Sequence, residues 1–141
     1  MPPHTRTQST QPRGVRVQDA RRLLLRLPNV SEGRSYGMPS FLVNGRFLAR
    51  FRDDDTVLVL QLATIAERDV LMQFEPGAFF FTEHYRDYPA VLIRLAEVPR
   101  PLFVDVVTES WRHVAAMPPA RRRPQVAPGG KRRGRTSRRD R

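Results

Sequence analysis

A tight hairpin at Asn44-Gly45 is the feature that most constrains how this chain can fold. The dipeptide suits the two central positions of a two-residue turn, both of which need a positive φ angle. Strand-like stretches lie on either side, over residues 39–43 and 46–52, and a third follows the acidic turn Asp53-Asp54-Asp55, over residues 56–61. We therefore predict three consecutive antiparallel strands, with a loop before residue 39.

Three other segments have the apolar spacing of amphipathic helices. The first covers residues 17–27, and the third runs from Pro101 to about residue 117. The second begins at Thr64, which forms a capping-box pair with Glu67. It places apolar residues on one stripe, namely Ala66, Val70 and Phe74. The third helix carries an inward face of Phe103, Val106, Val107, Ser110, Trp111, Val114 and Met117.

The order of these elements predicts one α+β domain with an antiparallel sheet. Two short strands, over residues 79–82 and 90–95, complete the order of helix, three strands, helix, two strands and helix. We assign the domain to residues 17–117. Residues 1–16 and 118–141 are polar or strongly basic, and we expect both to be disordered.

Composition removes several classes of function. The chain has no cysteine, so it has no disulfide framework and no thiolate metal site. It has no apolar run long enough to span a membrane and no secretory signal at its start, so we expect a cytoplasmic protein. Its serines and histidines show no catalytic arrangement. We therefore predict no enzyme activity, no cofactor and no metal site.

Positive charge is concentrated at the end of the chain. Residues 118–141 hold ten Lys or Arg against one Asp, a net charge of +9, whereas residues 17–117 carry a net charge of −1. Such a segment attracts polyanions, and six phosphate contacts would give a log–log salt slope of about −5. The candidate phosphate-binding residues here are Arg121, Arg122, Arg123, Lys131, Arg132, Arg133, Arg135, Arg138 and Arg139.

Two other interpretations of this basic segment stay open. Arg133-Gly134-Arg135 is similar to the centre of an AT-hook, which places Arg-Gly-Arg in a narrow minor groove, although the flanking prolines are missing. Alternatively, the segment has no dedicated partner and only increases solubility.

Several ordered motifs resemble those of the MmcQ/YjbR family. They are the run from Glu32 to Phe41, the run from Phe80 to Pro89, the strand from Val91 to Leu95, and Trp111. The resemblance covers residues 17–117 and implies a fold similar to secretion chaperones and frataxin-like proteins. It also implies DNA binding through paired hairpins. Frataxins hold iron on an acidic first helix, but here that helix carries Arg21, Arg22 and Arg26, which argues against iron handling.

The second strand of the hairpin supplies the best candidate site within the domain. Arg46, Arg50 and Arg52 are two or four residues apart, so simple alternation places all three on one side of the strand. Guanidinium groups bind phosphate and can also read guanine. The alternative is a solvated face neutralised by Asp53, Asp54 and Asp55. Those three carboxylates could in principle bind a hard cation, but a solvated turn is the simpler interpretation.

The connection over residues 83–89 is the second candidate. As a wing tip it would stack Tyr85 on bases and set Arg86 against phosphate. If the loop has only a structural role, Tyr85 and Tyr88 would pack over the sheet edge with Tyr36, and their hydroxyls would bond to the backbone. We favour packing for the tyrosines and leave Arg86 as a nucleic-acid-binding candidate. A small-molecule pocket beneath the three tyrosines is a further alternative.

Together these patterns predict a nucleic-acid-binding protein, with DNA preferred to RNA. The alternative is a protein–protein adaptor similar to the secretion chaperones. Salt separates the two functions, because phosphate binding weakens steeply with ionic strength while apolar docking does not.

Overall fold

The computed structural model describes residues 13–35, 37–52 and 56–120. Within these ranges the chain forms three α-helices, six β-strands and a short 3-10 helix at Glu83–Tyr85. The helices are α1 (Val17–Arg26), α2 (Ile65–Phe74) and α3 (Arg100–Ala115). The strands are β1 (Val30–Ser35), β2 (Met38–Val43), β3 (Arg46–Arg52), β4 (Val57–Gln61), β5 (Phe79–Phe80) and β6 (Ala90–Arg94).

The described strands form one antiparallel sheet in the order β1-β2-β3-β4-β6-β5. The β2–β3 hairpin turns at Asn44 and Gly45, whose φ angles of 52° and 82° lie in the left-handed region that this turn requires. The sheet is built from antiparallel pairs, with one helix before the strands, one between them and one after them. The predicted α+β domain is therefore confirmed.

One strand was not predicted. Residues 30–35, which we expected to form a loop, pair with β2 along their whole length. They form an edge strand that carries Ser31, Glu32 and Arg34, all of them exposed. Polar and charged residues are typical of edge strands, and they hide the apolar alternation by which a strand is recognised in a sequence.

The three helices lie on one face of the sheet, which we call the helix-covered face, and the main core lies beneath them. Phe41 of β2 and Phe51 of β3 meet edge to face with ring centroids 5.7 Å apart. Phe103 of α3 is fully buried in the same cluster. Most of the predicted inward face of α3 is confirmed, since Phe103, Val106, Val107, Ser110 and Val114 are all buried. Trp111 is half-buried and its Nε1 donates to the Pro28 carbonyl at 2.9 Å.

The folded domain begins earlier than expected. Val15 is buried in the main core, and the backbone N–H groups of Gly14 and Val15 donate to the carbonyls of Val98 and Leu95. The Arg13 guanidinium contacts Glu75 at 3.1 Å. The prediction of disorder is therefore wrong for residues 13–16, which are held by backbone hydrogen bonds that apolar periodicity does not reveal.

Helix α2 forms where predicted, but it buries a different side from the one that the sequence indicated. The Thr64 hydroxyl accepts from the Glu67 N–H at 3.2 Å, which confirms the capping residue. The stripe of Ala66, Val70 and Phe74 points outward, and Val70 and Phe74 are 64% and 68% exposed. The helix instead turns Arg68 and Leu71 toward the protein, so its most apolar stripe has no partner among the described residues.

Candidate functional site

The face of the sheet opposite the helices, which we call the open face, carries a second apolar cluster. Its members are Phe47, Val57, Val59, Phe80, Tyr85, Ala90 and Leu92. No described α-helix covers them, yet Val59 and Leu92 are fully buried. Longer side chains on the same face therefore exclude water from the strands.

A β-bulge in β3 separates the three predicted strand arginines. Phe41 pairs with Ala49 and Leu42 pairs with Phe47, so Leu48 is an extra residue in β3. Leu48 and Ala49 are both fully buried in the main core, although they are neighbours in the chain. The inserted residue reverses the alternation before it, because two residues of a bulged strand oppose one on its partner.

The prediction that Arg46 shares a face with Arg50 and Arg52 is consequently wrong. Arg46 pairs with Val43, whose side chain lies in the main core, and its Nε donates to the Pro118 carbonyl at 2.5 Å. The register places Arg50 opposite Val59 and Arg52 opposite Val57, two residues of the open-face cluster. The open face therefore holds two of the three predicted strand arginines.

The connection over residues 82–89 folds across this open face and reaches Arg50. Tyr85 packs on the open-face cluster, and its hydroxyl accepts a hydrogen bond from a terminal nitrogen of the Arg50 side chain. Both side chains are half-buried. The two candidate sites predicted separately, the strand arginine and the loop, are thus one site in the structure.

These residues enclose a depression of about 450 Å³, which we call the cup. The cup is lined by Phe47, Arg50, Gln61, His84, Tyr85, Tyr88 and Ala90. The rings of His84 and Tyr85 meet edge to face with centroids 4.8 Å apart. The Gln61 Nε2 donates to the carbonyls of Leu62 and Pro89 at 3.0 and 3.2 Å, which fixes the amide between β4 and the loop.

A buried arginine, Arg68 of α2, holds the loop in place. It is 3% exposed, and one of its terminal nitrogens donates to the carbonyls of Tyr85, Tyr88 and Ala90 at 2.8, 3.0 and 3.3 Å. The other donates to the Arg86 carbonyl at 2.9 Å. Its guanidinium carbon lies 3.9 Å from the Phe81 ring centroid. Arg68 thus ties three carbonyls of the irregular loop, which lie outside the strand ladder, to the first carbonyl of β6.

The sequence prediction missed Arg68. Leu71 and Met72 follow Arg68 by three and four residues, and Glu75 follows them by four and three, so the four residues form a second helical stripe beside the more apolar one. A basic residue at a core position of that stripe is the signal that could have revealed it. The prediction also missed Gln61, which ends β4 and has no distinguishing pattern.

The remaining loop residues divide between packing and exposure. The packing prediction is correct for Tyr85, although its hydroxyl bonds Arg50 and not the backbone. It is wrong for Tyr88, which is 59% exposed at the rim of the cup. Arg86 is exposed and contacts Glu83 at 3.2 Å. Arg94 lies at the far end of the open face, 3.9 Å over the Phe80 ring.

Several predicted site residues lie outside the described residues. They are Tyr36, Asp53, Asp54, Asp55 and the tail cations Arg121, Arg122, Arg123, Lys131, Arg132, Arg133, Arg135, Arg138 and Arg139. In the part of the chain that is described, no three His, Cys, Asp or Glu side chains lie close enough together to hold a metal ion. No described helix has the length and apolar character needed to cross a membrane.

Comparison with known proteins supports the fold but not a particular activity. No family model matches the sequence. The structure is similar to a crystal structure of a Deinococcus radiodurans protein with a DUF419 domain, with a TM-score of 0.61, 23% sequence identity, and coverage of 71% of this chain and 78% of that one. At this identity the likeness establishes the fold alone.

Three curated proteins share a shorter stretch with this chain. They are uncharacterized proteins of Mycobacterium bovis and of two Mycobacterium tuberculosis strains, each 46% identical over 41 residues. The stretch is 29% of this chain and spans about a third (32%) of those relatives' length.

Proposed function

We propose that this protein belongs to the YjbR/MmcQ-like family, to which DUF419 corresponds, and that it binds nucleic acid. The preferred partner is DNA, bound in the cytoplasm without catalytic chemistry. The observation that carries the proposal is the position of Arg50, whose guanidinium is held by Tyr85 at the wall of an aromatic cup. The likeness to that family is the reason to expect DNA as the partner. It assigns a role to no individual residue.

The cup combines two groups that a nucleotide requires. A guanidinium binds phosphate oxygens through charge-assisted hydrogen bonds, and its planar fork matches their geometry. Tyr88 and His84 are exposed at the rim, where an unpaired base could stack on a ring. Base–aromatic stacking contributes about 1–3 kcal/mol per base and tolerates any sequence.

The basic tail would supply affinity for nucleic acid, and the cup would determine where on the domain the nucleic acid binds. Nine predicted tail cations lie between residues 121 and 139, and each phosphate they neutralise releases counterions. Such contacts act on any phosphodiester chain. The exposed Arg86 on the loop would extend the cationic surface beside the cup.

A binding titration with two matched variants tests the role of the cup. Fluorescence anisotropy is measured for labelled single-stranded DNA, duplex DNA and RNA, with wild type, Arg50→Met and Arg22→Met. Arg22 is an exposed α1 residue paired with Asp19 at 2.9 Å, so its variant removes the same charge away from the open face. We expect Arg50→Met to weaken binding about tenfold, because a hydrogen bond to a charged group contributes about 1.5 kcal/mol or more.

The same titration over several salt concentrations separates the alternatives. We expect the salt slope to decrease by about one for Arg50→Met and to change less for Arg22→Met. Equal affinities for the two variants would contradict a role for the cup and leave the tail as the binding element. No binding to any oligonucleotide at low salt would contradict the function itself.

A protein–protein adaptor is the second candidate function, and one observation favours it. Val70 and Phe74 form an exposed apolar stripe on α2, and large exposed apolar residues in a contiguous patch are typical of docking surfaces. Apolar docking would persist at salt concentrations that abolish phosphate binding.

A further inference from the structure

A second depression lies on the helix-covered side, between α2 and α3. This groove of about 310 Å³ has a floor of Leu62, Leu71 and Val106. Val70 lines one side and continues into the exposed stripe of α2. The groove is separate from the cup, since the two share no lining residue.

A buried hydroxyl at this groove lacks a partner. Ser110 is 3% exposed and lines the groove, and its Oγ makes no hydrogen bond to any described residue. Buried polar groups are nearly always hydrogen-bonded, so an unpartnered hydroxyl beside a cavity indicates a missing acceptor or donor. A backbone amide of a bound segment would provide one.

The rim of the groove is acidic. Glu67 of α2 and both Asp105 and Glu109 of α3 line it. Glu109 is paired with Arg112, whereas Asp105 is exposed and has no described ion-pair partner. An apolar floor with an acidic rim fits a segment that has a short apolar centre and basic flanks.

We propose that the chain's own C-terminal segment, residues 121–135, docks in this groove. The segment has basic flanks, Arg121–Arg123 and Lys131–Arg135, on either side of Val126-Ala127-Pro128. This arrangement matches the groove in both charge and apolarity. Docking would hold part of the tail away from nucleic acid and so act as an autoinhibitory contact. The contact itself does not depend on the proposed function.

The segment starts close enough to reach the groove. Ala120 lies beside Val114 and Met117 at the end of α3, and its N–H donates to the Asn44 carbonyl at 3.1 Å. Ser110 and Glu109 precede the end of α3 by five and six residues, or about 8 and 9 Å along the helix axis. Six extended residues, from Ala120 to Val126, span about 20 Å.

Paramagnetic relaxation in the full-length chain tests the contact. Because the sequence has no cysteine, Gln125→Cys provides a single site for a nitroxide label beside Val126. We expect the methyl resonances of Val70, Leu71 and Val106 to lose most of their intensity. The methyls of Val57, which pairs with Arg52 on the open face at the end of β3 far from the Asn44 turn, serve as the reference and should keep theirs.

Charge variants of the labelled chain then test specificity. Asp105→Lys should restore the groove signals, whereas Glu97→Lys, the same change in charge at an exposed position outside the groove, should leave them reduced. Thermal melting checks that both variants are folded. If Asp105→Lys is unfolded, Val70→Ser provides a second test of the same contact. Full signal at the groove, or equal loss at Val57, would overturn the proposal. A loss that grows with protein concentration would overturn it in favour of a second copy's tail.

Discussion

The two faces of one sheet exclude water by different means. On the helix-covered face, aliphatic and aromatic side chains of α1 and α3 pack on β2, β3 and β4. On the open face, half-buried Arg50 and Tyr85 cover fully buried Val59 and Leu92. The first arrangement is non-directional and extensive, while the second depends on a few hydrogen bonds.

This difference separates stability from binding. A core of interdigitated apolar side chains cannot exchange partners with a ligand without unfolding. Arginine–tyrosine and arginine–carbonyl contacts can be replaced by similar contacts to phosphate and bases. We therefore expect substitutions on the helix-covered face to change the free energy of unfolding most, and substitutions near the cup to act more locally.

Phe103→Ala should have the largest effect on stability. Phe103 is fully buried and lies in the main core, so its truncation leaves a cavity. We expect a loss of about 3–5 kcal/mol in the free energy of unfolding, measured by urea denaturation. A loss below about 1 kcal/mol would show that the helix-covered face is not the main source of stability.

Arg68→Met should have an intermediate effect and a local signature. The substitution removes three hydrogen bonds to loop carbonyls and one to the first carbonyl of β6, but keeps an unbranched apolar side chain in place. We expect a loss of about 2 kcal/mol, less than for Phe103→Ala, because water can reach part of the released loop.

Amide hydrogen exchange distinguishes that local effect from general destabilisation. In Arg68→Met the amides of Tyr85, Arg86 and Tyr88, which bond within the loop, should exchange faster than those of β3 and β4. Arg112→Met is the control, since its exposed pair with Glu109 should contribute less than about 1 kcal/mol. Uniformly faster exchange would contradict a specific role for Arg68 in holding the cup.

The features that the sequence predicted correctly are those that depend on residues close together along the chain. Asn44-Gly45 determines its turn locally, and the periodic face of α3 is broad enough to be unambiguous. Arg46 was misplaced because a single inserted residue, Leu48, reverses alternation without altering composition. The contacts of Arg68 span 17 to 22 positions in the chain, so no local pattern indicates them.

Helix α2 shows a different kind of failure, and Val70→Ser tests its meaning with the smallest expected effect. Two stripes share this helix, and the more apolar one faces outward, with Val70 64% exposed. If that stripe serves docking and not folding, Val70→Ser should change the unfolding free energy by no more than about 0.5 kcal/mol, because valine and serine have similar helix propensities. Val114→Ser, the same substitution where valine is 1% exposed on α3, should cost about 2–3 kcal/mol. Urea denaturation of both variants measures the contrast. Similar losses at the two positions would mean that α2 packs its apolar stripe in solution, and that the stripe is part of the core and not a surface available to a partner.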